Sequence, residues 1–120
     1  MNKLIAIAGT TFALCAACAG APVPNDQKAA SEAAYRGAQE AGADVAPQAK
    51  LAMQLSQDEI NQGNQLIQQG KNNEAAAMFN RARADAELAI GLSRQSQAEI
   101  EAQHASERVA RLQSNLATPQ

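Results

Sequence analysis

Residues 63 to 82 read GNQLIQQGKNNEAAAMFNRA, and this stretch decides the fold. Gly70-Lys71-Asn72 interrupts two helix-forming runs, and Asn73 can cap the second of them. Leu66 and Ile67 stand before the turn, and Phe79 stands after it. Gly63, Ala75 and Ala82 are small residues at helical spacing from these large ones, which lets two antiparallel helices approach closely. The prediction is a helical hairpin reversing at Gly70 to Asn73.

Working outward, the arm before the turn extends back to about residue 47. Its apolar residues Leu51, Met53, Leu55, Ile60, Leu66 and Ile67 cover one broad face at 100° per residue. The arm after the turn is long, from about 74 to 113. Ala75, Phe79, Ala82, Ala86 and Ala89 recur at 4-3-4-3 spacing. Further along, Ala98, Ala102, Ala105, Val109, Leu112 and Leu116 recur at 4-3-4-3-4, a second stripe of heptad type. Arg81 with Asp85 and Arg83 with Glu87 are i, i+4 pairs, read as support on the solvent side. Upstream, a first helix over about 27 to 41 presents alanines, with Tyr35 its only large ring and Gly37 a weak point. Asn25 or Asp26 can cap it, and Gly42 to Pro47 separates it from the second helix.

Composition supports an all-α chain. Aromatic residues make up 2% of it, alanine is abundant, and β-branched residues are sparse after residue 25. Interfaces lined by alanine bury little area per residue, so a thin core is expected. A formal net charge of -2 with both signs mixed argues against a nucleic-acid surface.

The chain opens with MNKLIAIAGTTFALCAACAGA. Lys3 gives a positive start, and Leu4 to Ala17 form an apolar run too short to span a membrane as a helix. Leu14-Cys15-Ala16-Ala17-Cys18 resembles the lipobox of bacterial lipoproteins, with Cys15 standing where an apolar residue is usual. The resemblance implies cleavage before Cys18 and acylation of that residue; the alternative is ordinary secretion, with cleavage after Ala19 or Ala21 and Cys18 discarded. Several acyl chains, at about 0.8 kcal/mol per buried methylene, hold a protein to a bilayer firmly. Ala19, where an aspartate would retain a lipoprotein in the inner membrane, points by the same resemblance to the outer membrane and the periplasm. The expected organisation is a signal peptide over 1–17, a lipidated Cys18 and tether over 18–25, a helical domain over 26–116 and a disordered tail over 117–120. Both cysteines fall in or at the end of the targeting segment, so no disulfide is expected in the domain.

Two further resemblances bear on the domain. Gly63, Leu66, Gly70, Ala75, Phe79 and Ala82 stand at the spacings of one tetratricopeptide repeat, although Glu59, Gln62 and Glu87 depart from it and no second copy follows. Ala46-Pro47, an apolar helix, Gly70 and Ala82-Arg83-Ala84-Asp85-Ala86-Glu87-Leu88-Ala89 together resemble a family of small bacterial envelope lipoproteins whose shared domain has no known function. That resemblance covers about residues 29 to 105. It implies an envelope helical hairpin and no catalytic residues.

Residues able to carry chemistry are few. His104 is the only histidine, set among Glu101 and Glu107, and reads as an exposed helix residue rather than a metal ligand. Asp58-Glu59 and Glu99 with Glu101 read as solvated faces. Ser93 and Ser96 lack a base or a nucleophile-elbow context. The expectation is a non-enzymatic protein with no catalytic site, cofactor, metal, small-molecule substrate or nucleic-acid partner. The expected role is a structural or protein-interaction module, anchored to the membrane through Cys18. Self-association or an envelope protein partner is expected on Ala102, Ala105, Val109, Leu112 and Leu116. The alternative is non-covalent binding to peptidoglycan, since Pro119-Gln120 lacks the lysine by which Braun-type lipoproteins join the wall.

Overall fold

The structure, a computed structural model, describes residues 20 to 117, and within them the chain is all-helical. The expected signal peptide, Cys18 and the last three residues lie outside the described residues. Helix α1 spans Asn25–Glu40, α2 spans Lys50–Gln68 and α3 spans Asn72–Ala117. The two hairpin arms and the short first helix therefore stand as expected, with shifted ends. The third helix starts at Asn72 and continues through Ala117, a correction to the tail expected from residue 117, because the helix keeps its backbone pattern one residue further.

Two glycines stop the first two helices by the same device. Gly42 and Gly70 have φ of 76° and 73°, a left-handed conformation that suits a residue without Cβ. At the end of α1, the Ala43 amide reaches back to the Ala38 carbonyl at 3.0 Å and the Gly42 amide to Gln39 at 2.9 Å. At the end of α2, Lys71 reaches Leu66 and Gly70 reaches Ile67, each at 2.9 Å. Both are Schellman closures, in which otherwise unpaired carbonyls of the last turn are satisfied.

The helix starts differ from expectation. The N-cap of α1 is Pro24, with no side-chain cap, so neither Asn25 nor Asp26 serves that role. Asn25 already lies inside the helix, and Asp26 favours it only as an acidic residue in the first turn. Pro47 opens a turn that leads into α2, closed by the Lys50 amide on the Ala46 carbonyl at 3.1 Å. Asn73 lies inside α3, whose first intrahelical bond runs from the Ala75 amide to the Lys71 carbonyl at 2.9 Å.

The short Gly70 turn makes α2 and α3 antiparallel. Helix α1 packs on both and runs parallel to α3, because its two ends are fastened along that helix. At one end the Asn72 amide side chain donates to the Ala21 carbonyl. At the other, Ser93 Oγ and Gln97 Nε2 (3.1 Å) donate to the Ala41 carbonyl. The result is a three-helix bundle alongside the first half of α3.

The core matches the composition. Ala38, Ala43, Ala46, Ala49, Ala52, Met53, Ala86 and Ala89 form its buried cluster, flanked by Tyr35, Ile90 and Leu92. Alanine at these points lets three backbones converge where larger side chains would hold them apart. The inner seam of α3 is Ala75, Phe79, Ala82, Ala86, Ala89 and Ser93, all buried. Phe79 is fully buried, and the ring lies over Gly63 of α2. The half-buried Leu66 and Ile67 stand one turn further on.

Two charge readings need correction. Glu59 is 9% exposed, not a solvated residue. Arg81 does not pair with Asp85 along its own helix; its Nε reaches Glu59 Oε1 across the bundle at 3.2 Å. The turn geometry brings that face of α2 against α3, which sequence spacing within one helix does not reveal. Arg83 pairs with Glu87 at 2.7 Å as expected.

Candidate partner-binding surface

Every residue of α3 from Gln97 to Ala117 is exposed. The bundle ends where Ser93 and Gln97 hold the end of α1, with the turn residues Val45 and Pro47 bordering a cleft with Ile100 just beyond. Helix α1 lies beside the first half of α3 and leaves the second half bare. At 1.5 Å per residue, residues 98 to 117 project for about 30 Å. On this projection Val109, Leu112 and Leu116 are 53%, 63% and 87% exposed. Ala102 and Ala105 precede them on the same face, also exposed.

This stripe does not continue the buried seam. The step from Ser93 to Ala98 is five residues, which breaks the 3-4 alternation. At 100° per residue, the stripe lies roughly 150° around α3 from the seam that faces α1 and α2. Traced back at heptad spacing, it enters the bundle region as Gln95, Gly91, Leu88 and Ala84, and each of these is exposed. Leu88 is 53% exposed. Helix α3 thus carries two seams on nearly opposite sides. The inner one, from Ala75 to Ser93, is filled by α1 and α2. The outer one runs Ala84, Leu88, Gly91, Gln95, Ala98, Ala102, Ala105, Val109, Leu112 and Leu116. Its apolar pattern spans more than four heptads and carries charged residues at its margins.

Sequence reasoning found the distal half of this face and missed the proximal half. The signal was available: Leu88 and Gly91 stand in heptad register with Ala98. The competing inner seam obscured it, since an alanine-rich helix offers apolar residues on every side.

The other candidates are placed as follows. His104 is exposed, with Nδ1 3.8 Å from Glu107 Oε2. Glu99 accepts from Gln95 Nε2 at 2.9 Å along its own helix. Ser93 is buried, donating to Ala41, and so closes α1. Glu59 sits between Arg81 and Asp85. Burial first, then the neighbouring Asp85 carboxylate, push its pKa above the ordinary value, and Arg81 opposes them. Its Oε2 has no hydrogen-bond partner. Among the described residues no three His, Cys, Asp or Glu side chains come together as a metal site. No described helix is long and apolar enough to cross a membrane. Comparison with protein families, with curated proteins and with solved structures finds nothing that matches this chain.

Proposed function

We propose that this protein is a non-catalytic interaction module of the bacterial envelope, held to the outer membrane by acyl chains on Cys18 and docking a protein partner on the outer face of α3. The observation that carries the docking role is the bare second half of α3. Leucine and valine side chains at 3-4 spacing remain in water there, on a face the bundle does not use. An isolated exposed leucine means little, but an aligned stripe is a surface that gains free energy when a second helix covers it. The anchoring role rests on the Leu14 to Cys18 resemblance and on the lead from Gly20 to Pro24, which carries the chain from that cysteine to the bundle.

The test has two arms. A photo-crosslinking residue at position 109 in intact cells should give a discrete protein adduct, and Leu112→Asp should remove it without changing the helical content of the chain. An adduct indifferent to Leu112→Asp would show that the stripe is not the docking surface. Separately, Cys18→Ser should abolish labelling with a palmitate analogue and release the chain from membranes. Labelling that survives Cys18→Ser would overturn the anchor.

A further inference from the structure

We infer that the partner on the outer seam of α3 is a second copy of the same chain, paired in parallel as a two-stranded coiled coil over residues 84 to 116; this rests on the docking role proposed for that face. With Ala84, Gly91, Ala98, Ala105 and Leu112 at heptad position d, position a holds Leu88, Gln95, Ala102, Val109 and Leu116. Val109 at a with Leu112 at d makes one layer of the combination that favours two strands, small residues fill most other d positions, and a single polar residue at a, here Gln95, fixes register. The seam is about 48 Å long at 1.5 Å per residue.

Charges beside the seam decide direction. In a parallel pair each g position faces the e position five residues on in the other helix. Arg94 then meets Glu99 of the second copy, and by symmetry the contact forms twice. Glu87 meets Leu92, Glu101 meets Ser106, and Arg108 meets Gln113, so no like charges face each other. Antiparallel pairing over the same length aligns g with g and e with e. Arg94 would then face Arg108, Glu101 would face its own copy, and so would Glu99. Every charged contact becomes repulsive or neutral in that arrangement, whereas the parallel one gains two opposite-charge contacts.

The position of the tether agrees with this direction. Ala21 is fastened to Asn72, beside the turn between α2 and α3. Three residues from Ala21 back to Cys18 span at most about 11 Å. A chain anchored at Cys18 therefore keeps its turn end at the bilayer and points the far end of α3 away from it. Two chains on one membrane face then present their third helices in parallel. The inner bundles do not collide, because the outer seam lies on the side of α3 away from α1 and α2.

The full chain extracted in detergent provides the test. Leu112→Cys should form a disulfide-linked homodimer on mild oxidation, above the level in the unsubstituted chain, which controls for Cys15 and Cys18. Arg94→Glu should raise the dimer dissociation constant about tenfold. Adding Glu99→Arg to it should restore the original value. Recovery by the double change also shows that the single variant folds. A mixed disulfide between Leu88→Cys and Leu112→Cys chains, without the Leu112→Cys homodimer, would mean antiparallel pairing and overturn the inference. So would a chain that stays monomeric in detergent and in membranes. If that monomer still yields an adduct from position 109 that Leu112→Asp removes, the docking role stands with a different partner. If it yields none, both fall.

Discussion

Gly63 and Phe79 hold the hairpin closed at the level of single residues. A Cβ built on Gly63 would lie 2.6 Å from Phe79 Cε1 and 2.8 Å from its Cζ, closer than packed atoms allow. The ring fills the space that a side chain at 63 would take. Gly63→Ala should therefore destabilise the fold by about 1–3 kcal/mol, as overpacking does, even though alanine favours helix. Gly37 in α1 is the control. A Cβ there would meet Ile90 Cδ1 at 3.6 Å, an ordinary contact. Gly37→Ala should stabilise by about 0.5–1 kcal/mol through the usual helix preference. Urea titrations of both variants check the opposite signs, and equal effects would contradict the contact. Phe79→Ala should cost about 3 kcal/mol, because few other large side chains are buried in this core.

Between elements, the least expected contact is the Glu59, Arg81 and Asp85 group joining α2 to α3. Its geometry gives stability a definite pH dependence. Burial and the Asp85 carboxylate disfavour the ionised form of Glu59, so its pKa is higher folded than unfolded. Above the ordinary glutamate pKa the folded chain thus binds more protons than the unfolded one. Stability from this residue is fullest below that value and falls as pH rises through the raised one. Glu59→Gln removes the titration. The stability of the variant relative to the parent chain should improve from pH 4 to pH 7, measured by chemical denaturation at each pH. A relative stability that worsens over that range would show that Arg81 dominates the group instead. Elsewhere, the Schellman closures at Gly42 and Gly70 make the two reversals that build the bundle.

On the scale of the whole molecule, the bundle and the projection of α3 are separable. Residues 98 to 117 are all exposed, and Ile100 at their base borders a cleft beside Val45 and Pro47. Deleting residues 98 to 120 should leave the melting temperature of dilute chain within about 2 °C, since a loss of even 1 kcal/mol shifts a domain of this size by several degrees. The same deletion should abolish self-association and crosslinking from the outer seam. A large fall in melting temperature would mean that the projection folds back on the bundle.

Local sequence was enough for the elements. Helix-forming composition, glycines at two reversals and the 3-4 spacing of apolar residues specify three helices and a hairpin at Gly70, because these depend on short-range backbone preferences. The long third helix and its distal stripe of Ala102, Ala105, Val109, Leu112 and Leu116 were legible for the same reason. The tertiary structure decided what depends on distant residues meeting. It placed Phe79 on Gly63, drew Arg81 from Asp85 to Glu59, and used Ser93 to close α1. It also decided which faces of α3 stay in water. Alanine packs acceptably on any side of a helix, so its spacing alone does not say which seam the bundle will bury; that choice belongs to the side on which α1 and α2 dock.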